Sequence, residues 1–335
     1  MNKTFIVAEL SANHNHQLAL AKRTIDAAKE AGADAVKLQT YTADTITLDC
    51  DTPDFQIHGG LWDGYTFYKL YQEAYTPWEW HKELYEYAQS LGLVCFSTPF
   101  DNSAVDFLET IGNPIYKIAS FEITDVNLIR YAASKGKPMI ISTGTATEDD
   151  IRLAIQTCRE VGNEDITLLK CTSEYPAPLS KANLLTIPDM ANRFVVKVGV
   201  SDHSMTNTLP ITAVALGATV VEKHLILDRA MGGPDSGFSM QPDEFKAMVD
   251  SIREVEQVIG NVYYPDETDV ASLRKGCRSL YVAEDIKAGE IVTEQNVRSV
   301  RPGYGLHPKY LDEILGKRVN RDLKKGERFG LSYVE

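Results

Sequence analysis

The sequence predicts an α/β chain that closes into an eight-stranded parallel (β/α)8 barrel, followed by a small C-terminal domain. Two observations carry this. Eight short apolar runs lie near residues 4–10, 35–40, 93–98, 115–119, 138–142, 166–171, 195–200 and 218–223. They are rich in Val, Ile and Leu and continuous rather than alternating, as parallel strands buried on both faces are. Amphipathic helical patterns separate them, over 17–31, 78–91, 101–110, 124–135, 147–161 and 207–216. Eight such units over about 260 residues have the usual length of a TIM barrel. No glycine-rich fingerprint follows the first run, which disfavours a doubly wound open sheet.

Each element has local reasons. Ala31-Gly32-Ala33 and Gly217-Ala218 mark helix ends before strands. Asp149 and Asp150 fall in the first turn of the helix after Thr147, where the dipole favours acids. The connection from 41 to 77 is too long for a simple loop and carries Gly59-Gly60-Leu61-Trp62-Asp63. From Tyr68 onward its aromatic residues recur at helical spacing, as in a helix packed on the barrel wall. A helix over 242–259, opened by Pro242-Asp243-Glu244, closes the barrel. The expected domains are therefore 1–260 for the barrel, 261–275 for a linker and 276–335 for a small domain. That last stretch holds a weak repeat, Asp285-Ile286-Lys287-Ala288-Gly289-Glu290 and Asp322-Leu323-Lys324-Lys325-Gly326-Glu327, each read as a strand entering a tight turn.

Composition narrows the function. The net charge of −13 argues against a nucleic-acid binder and obliges any anionic substrate to find local positive charge. Five cysteines without a CxxC spacing fit a reducing cytoplasm, with Cys95 and Cys171 read as small core residues. The first strand begins almost at once, which leaves no room for a signal peptide, and no apolar run approaches a membrane span. A cytoplasmic protein without nucleic-acid or membrane partners is expected.

The strand ends carry the chemistry. Ser201-Asp202-His203 follows one apolar run and Glu222-Lys223-His224 the next. Two imidazoles on neighbouring strand ends suit one divalent metal with open positions. Lys37 and Lys117 interrupt apolar strands and therefore point into the barrel mouth as an anion site. Thr98, Ser120, Ser142, Ser173 and Ser201 add hydroxyls around them. Glu9 and Glu122 are either acid–base groups tuned by burial or ion-pair partners of the lysines. Asp235 lies in the glycine-rich loop 232–237 after the last strand, and Arg301 sits in Arg301-Pro302-Gly303 as a carboxylate or amide anchor.

Assembled, these words resemble the sialic acid synthase family over nearly the whole chain. The resemblance rests on Ala8-Glu9-Leu10-Ser11-Ala12-Asn13-His14, Lys37-Leu38-Gln39, Ser97-Thr98-Pro99-Phe100, Tyr116-Lys117-Ile118-Ala119-Ser120, Ser142-Thr143-Gly144, Cys171-Thr172-Ser173, Tyr175-Pro176, the two His words, Pro234-Asp235 and Arg301-Pro302-Gly303. Gly59-Gly60-Leu61-Trp62-Asp63, Ala74-Tyr75-Thr76-Pro77-Trp78 and Gly305-Leu306-His307-Pro308-Lys309 are most similar to its pseudaminic acid synthase branch. The resemblance implies a TIM barrel with a C-terminal antifreeze-like (SAF, β-clip) domain. It implies condensation of phosphoenolpyruvate with an N-acylated amino sugar, here 2,4-diacetamido-2,4,6-trideoxy-L-altrose, to a nonulosonic acid and phosphate. Neuraminate, legionaminate or spore-coat sugar precursors are the alternative acceptors, and a glycan- or ice-binding module the non-enzymatic one. By the same resemblance Lys37, Thr98, Lys117, Ser120, Ser142, Ser173, Tyr175 and Ser201 bind phosphoenolpyruvate, and Asp235 and Arg301 contact the sugar. His203 and His224 hold Mn²⁺, with Mg²⁺ or Co²⁺ as alternatives. Glu9 and Glu122 handle protons, and Arg301 reaches a neighbouring protomer in a domain-swapped homodimer.

Overall fold

The computed structural model describes residues 3–335. Eight parallel strands close on themselves in chain order. They are β1 (Phe5–Glu9), β2 (Ala35–Thr40), β3 (Val94–Pro99), β4 (Tyr116–Ile118), β5 (Met139–Ser142), β6 (Ile166–Cys171), β7 (Lys197–Asp202) and β8 (Val220–His224). The helices of this unit are α1 (Leu18–Glu30), α2 (Ala43–Ile46), α3 (Phe67–Ala74), α4 (Trp78–Ser90), α5 (Asn102–Thr110), α6 (Val126–Ala133), α7 (Glu148–Glu160), α8 (Thr186–Phe194), α9 (Thr208–Ala215) and α10 (Pro242–Ile259). The ring is completed by β8 against β1, with Phe5 opposite Val220 and Glu9 opposite His224.

Local chemistry sets the helix starts. Thr147 and Asp150 exchange hydrogen bonds in a capping box at the head of α7, and Asp101 and Asp125 cap α5 and α6. Each such cap contributes about 1 kcal/mol. Tyr68 and Tyr71 fall on α3 and Trp78 and Trp80 on α4, with Tyr75 between the two helices, while Gly60–Trp62 forms a short 3₁₀ turn.

The alternation of side chains along each strand separates two cores. Outward residues such as Ile6, Val36, Cys95, Ile118 and Val221 pack against the helices with Ile25, Leu84, Val105 and Phe245. Inward residues Val7, Ala35, Phe96, Ile140, Leu169 and Val220 fill the barrel, with Phe5 and Ile115 beside them. Gly199 belongs to the same inner ring. A Cβ there would lie 2.4 Å from the Val220 carbonyl oxygen and 2.7 Å from the Leu169 side chain, so the strand approaches its neighbour only without one.

The chain divides at Gly260, and the second unit runs from Asn261 to Glu335. Within the stretch read as a linker, Glu267–Arg274 is a helix, α11, all of it near the surface. Asp266 starts it through a capping box with Asp269, a signal that the acid-rich composition concealed. The rest of this unit packs Leu280, Val282, Ile286, Val297, Leu323 and Phe329 around the antiparallel pair β9 (Ser279–Val282) and β10 (Val297–Val300), with the short helix α12 (Leu311–Ile314) beside them. The internal repeat has a reciprocal meaning here. Asp285 binds the backbone N–H of Lys325 and pairs with Lys324, while Asp322 binds the N–H of Ala288 and pairs with Lys287. Ile286 and Leu323 exchange both backbone hydrogen bonds between the two copies.

Gly199→Ala should destabilise the protein by about 1–3 kcal/mol through overpacking of the inner ring. The urea midpoint at constant slope is the measurement.

Candidate active site

Two residues beyond the apolar ring, every strand turns polar. Val7 is followed by Glu9, Ala35 by Lys37, Phe96 by Thr98, Ile115 by Lys117, Ile140 by Ser142, Leu169 by Cys171, Gly199 by Ser201 and Val220 by Glu222. Since the strand period is two, all eight belong to the inward face one layer nearer the C-terminal end. A further step of two reaches Ser11, Gly144, Ser173, His203 and His224. The ordering of layers is thus an apolar plug, an ionic layer, and a rim with two imidazoles.

The ionic layer is tightly connected. Lys37 Nζ lies 2.5 Å from Glu9 Oε2 and donates to Thr98 Oγ1 at 3.0 Å. It is 3.8 Å from Glu222 Oε1, and Lys117 Nζ approaches the same oxygen at 3.6 Å. Ser201 Oγ donates to that oxygen at 3.0 Å. The Glu9–Lys37 contact is ionic rather than well-directed hydrogen bonding, because Glu9 Oε2 has no hydrogen-bond partner by direction. Both lysines and both carboxylates are buried. Taking them out of water costs several kcal/mol per ion, which only mutual pairing offsets.

The surroundings push these groups apart. Burial raises Glu9 despite Lys37 beside it. Burial would also raise Glu222, but Lys117 and Lys37 together outweigh it and hold that carboxyl below its usual range. Burial lowers Lys117, whereas Glu222 and Glu9 overcome burial at Lys37 and raise it. Glu122, on the 3₁₀ turn Ser120–Glu122, is pushed up to about 7 by burial, with Lys117 opposing. Among the described residues Asn13 Oδ1, Ser142 Oγ, Glu122 Oε2 and Glu222 Oε2, like Glu9 Oε2, are buried without a hydrogen-bond partner. Orphaned buried polar atoms are rare in native proteins, and their presence in one barrel end marks a place where a polar ligand completes the bonding.

The hydroxyls of the neighbouring loops converge on Gly144. Its N–H donates to Ser120 Oγ at 3.1 Å, and a Cβ there would meet Ser173 Oγ at 2.1 Å and Ser120 Oγ at 2.9 Å. Only a glycine lets this backbone approach so closely, leaving a small polar cradle beside Cys171.

His203 and His224 stand with ring centroids 5.3 Å apart. His203 Nδ1 faces the Thr172 carbonyl oxygen at 3.2 Å and Cys171 Sγ at 3.8 Å. His224 Nδ1 faces Ser11 Oγ at 3.2 Å. Neither Nε2 has a hydrogen-bond partner among the described residues. Two imidazoles with Nδ1 engaged and Nε2 free are a donor set suited to a divalent metal. No group of three or more His, Cys, Asp or Glu of metal-binding geometry occurs among the described residues, so such a seat is open on its other sides. The two rings differ electrostatically. Burial and the neighbouring His203 drive His224 far toward its neutral form, while Cys171 raises His203 against burial. Cys171 is in turn drawn down to about 7, His203 outweighing burial. Cys171 is buried, as expected of a core residue, and on the inward face of β6 its thiol also touches the imidazole.

Aromatic rings wall the two imidazoles. Tyr175 lies 4.4 Å from His203 and 4.9 Å from Phe238, and Phe238 4.9 Å from His224, by centroids. Trp62 extends the wall to 5.8 Å from Tyr175 and donates from Nε1 to the Pro234 carbonyl oxygen at 3.1 Å. The 59–63 stretch is thereby fixed to the loop that carries Asp235. Asp235 Oδ2 accepts from Ser11 Oγ and, at 3.3 Å, from the Ala12 N–H, and burial raises it.

Of the residues expected from the sequence, Glu9, Lys37, Thr98, Lys117 and Ser201 form one bonded cluster, Ser120 and Ser173 the cradle, and Tyr175, His203 and His224 the walled rim. Ser142 and Glu122 contribute unpaired oxygens. Arg301 lies in the second unit, exposed, and makes no ion pair within that unit. Glu222 was missed. Its signal was present, because residues two apart on a strand share a face, and an inward His224 makes Glu222 inward and Lys223 outward. Lys223 is indeed turned to the outer layer, paired with Asp202 at 2.5 Å. A surface hollow of about 580 Å³ lies elsewhere, between α7 and α8. Its Arg152, Arg159 and Arg193 are each tied to a carboxylate, so it offers an anion no free charge.

Comparison with known proteins agrees with this architecture. The NeuB family model matches residues 24–264 and the SAF domain model residues 278–329. The chain is 49% identical over 325 residues to the pseudaminic acid synthase of Campylobacter jejuni, covering 97% of this chain and 95% of that protein. It is 48% identical to the pseudaminic acid synthase of Helicobacter pylori, covering 98% and 97%. Among solved structures, the spore coat polysaccharide biosynthesis protein SpsE of Bacillus subtilis superimposes with a TM-score of 0.67 at 34% identity, covering 99% and 95%.

The Glu122 carboxyl gives a pH signature. Its value in the fold lies above the reference of 4.5, so folding takes up a proton between about pH 4.5 and 7, and stability falls as pH rises through that window. Glu122→Gln, always neutral, should gain about 2 kcal/mol on the parent between pH 4.5 and 8, a figure reduced for the partial exposure of the group. Urea titrations of both proteins across that range read the difference.

Proposed function

The chain belongs to the NeuB family, and from this membership and the site's chemistry we propose that it is a pseudaminic acid synthase. It condenses phosphoenolpyruvate and water with 2,4-diacetamido-2,4,6-trideoxy-L-altrose, giving pseudaminate and inorganic phosphate. The observation that carries the reading is the buried ionic layer with its unpaired oxygens, set directly beneath the two imidazoles. The full-length similarity to pseudaminic acid synthases supports the choice of acceptor.

Phosphoenolpyruvate carries a phosphate and a carboxylate on a planar three-carbon frame. Lys37 and Lys117 supply the positive charge that a chain of net charge −13 otherwise lacks. Thr98, Ser120, Ser142, Ser173, Ser201 and Tyr175 supply donors around it. The apolar ring beneath keeps bulk water from the underside and strengthens each of these contacts. His203 and His224 would hold a divalent ion, Mn²⁺ or else Mg²⁺ or Co²⁺. Such an ion supplies Lewis acidity to the aldehyde oxygen of the open-chain sugar.

Carbon 3 of phosphoenolpyruvate forms the new bond to the aldehyde carbon, which leaves positive charge at carbon 2. Glu222, kept ionised between two lysines, suits stabilisation of that cation. Water adds to carbon 2, and the C–O bond to phosphate then breaks. Glu122, which retains a proton near neutrality, and Glu9, raised by burial, suit the accompanying proton transfers. Opposite displacement of neighbouring carboxyl groups is the usual mark of such divided roles. Asp235 orients the sugar, and the Trp62–Tyr175–Phe238 wall suits the methyl and acetamido groups of a deoxy sugar. Arg301 serves the site of a neighbouring protomer in a domain-swapped dimer. The synthesis takes place in the cytoplasm, and no helix among the described residues is long and apolar enough to cross a membrane.

Phosphate release with Mn²⁺ should be fastest with the trideoxy-altrose acceptor in a panel that includes N-acetylmannosamine and the legionaminate precursor. Mass spectrometry identifies the product, and turnover confined to another sugar would reject the pseudaminate assignment. Co-refolding Arg301→Ala with His224→Ala chains should restore about a quarter of wild-type activity if sites are shared between protomers. No recovery would show that Arg301 does not act across the dimer.

A further inference from the structure

Ser11 is held in a conformation that its residue type resists. Its φ is +40°, and it is buried at 1% exposure. It follows Leu10 in a turn closed by the Asn13 N–H on the Leu10 carbonyl oxygen at 3.1 Å. Positive φ at the second position of such a turn is the place of glycine, which alone adopts it without a Cβ penalty. Strained non-glycine residues persist where the surroundings require the side chain. Here the requirement is visible in the bonding. The Ser11 N–H donates to Glu9 Oε1 at 3.1 Å. Its hydroxyl meets Asp235 Oδ2 on one side and His224 Nδ1, at 3.2 Å, on the other.

A hydroxyl has one proton to give. Ionised, the Asp235 carboxylate can only accept, as the same oxygen does from the Ala12 N–H, so the Ser11 proton goes to Asp235. The lone pair that remains on Ser11 Oγ then takes the proton of His224 Nδ1. This fixes one tautomer of His224, with the proton on Nδ1 and the lone pair of Nε2 free. The same residue, through its N–H, sets the carboxyl of Glu9, and through Asp235 reaches the loop fastened by Trp62.

We propose that Ser11 is a positioning residue that sets the tautomer and ring orientation of His224 and aligns Glu9 and Asp235 with it, at the expense of backbone strain. The proposal rests on the reading of His203 and His224 as the seat of a divalent ion. It separates two properties that ordinarily fall together. Glycine at this position relieves the strain and removes the hydroxyl, so the protein should become more stable while its ion seat loosens. Alanine removes the hydroxyl and keeps the strain.

The test compares the full-length parent with Ser11→Gly and Ser11→Ala. It reads thermal midpoint, Mn²⁺ affinity of the substrate-free protein by titration calorimetry, and the kinetics of phosphate release. Ser11→Gly should melt higher than the parent and bind Mn²⁺ about 10–100-fold more weakly, the usual cost of losing a residue that orients a metal ligand. Its kcat should fall while the KM for phosphoenolpyruvate stays near the parent value. Ser11→Ala should lose the same Mn²⁺ affinity without melting higher. A Ser11→Gly protein that binds Mn²⁺ as tightly as the parent overturns the role. So does one that melts lower, because the hydroxyl would then be a structural bond. A parent that binds no Mn²⁺ overturns both this role and the ion seat, whereas a parent and a Ser11→Gly protein that bind Mn²⁺ equally overturn this role alone and leave the proposed function standing.

Discussion

Two lysines and two carboxylates buried inside the barrel are the constraint on which the rest of the molecule turns. Lys37, Lys117, Glu9 and Glu222 are removed from bulk solvent, so their charges are met by one another within a few ångströms. Flexible elements cannot hold four ions so closely, but neighbouring strands in fixed register can. The apolar ring of Val7, Phe96, Ile140, Leu169 and Val220 is the floor that keeps solvent out, and Gly199 is where that floor has no room to spare. Above, the rings of Tyr175 and Phe238 limit access from the other side. A cluster of this kind is poor economy for stability, and the unpaired Ser142 and Glu222 oxygens make it poorer still. Its value lies in being preorganised for an anion, whose arrival supplies the bonds that the protein leaves open.

The same layer shows how position alone assigns different characters to like residues. Glu9, Glu122 and Glu222 are chemically identical. Burial raises the first two, while a pair of lysines holds the third ionised. The two imidazoles divide similarly, one made neutral by burial and its neighbour and the other drawn toward its proton, against burial, by a thiol. Fixed surroundings thus replace chemical variety.

Much of this architecture was legible in the sequence because it follows from periodicity. Eight apolar runs alternating with helical patterns define a barrel, and polar residues at their C-terminal ends define its working face. Lys37 and Lys117 were readable as inward because their flanking residues are outward core. Glu222 could have been found by the same step of two from His224, but a carboxylate beside a lysine in sequence reads as a local pair. Cys171 is buried as its apolar neighbours foretell, but a thiol among such residues gives no sign that it meets His203. The helix Glu267–Arg274 was hidden because an acid-rich, solvated helix has no apolar stripe. The bond from Trp62 to Pro234 and the bonds of Ser11 to Asp235 and His224 join residues more than 170 positions apart. Nothing in spacing foretells such pairings, since they exist only once the ring has closed.

That closure has its own consequence. The first and last strands meet at a seam between Glu9 and His224. The Leu225 N–H binds the Glu9 carbonyl oxygen, and Asn13 Nδ2 binds the Leu225 carbonyl oxygen, both at 2.9 Å. Contacts of such sequence separation carry the largest loop-closure entropy and slow the folding of a chain that depends on them. A ligand that recognises His224 together with groups of β1 therefore binds only the finished ring. At a hundredfold excess over its dissociation constant it adds about 2.7 kcal/mol to stability. The substrates of the site are in this sense also the clasp of the barrel: a cell that supplies them holds shut the joint between the two ends of the ring.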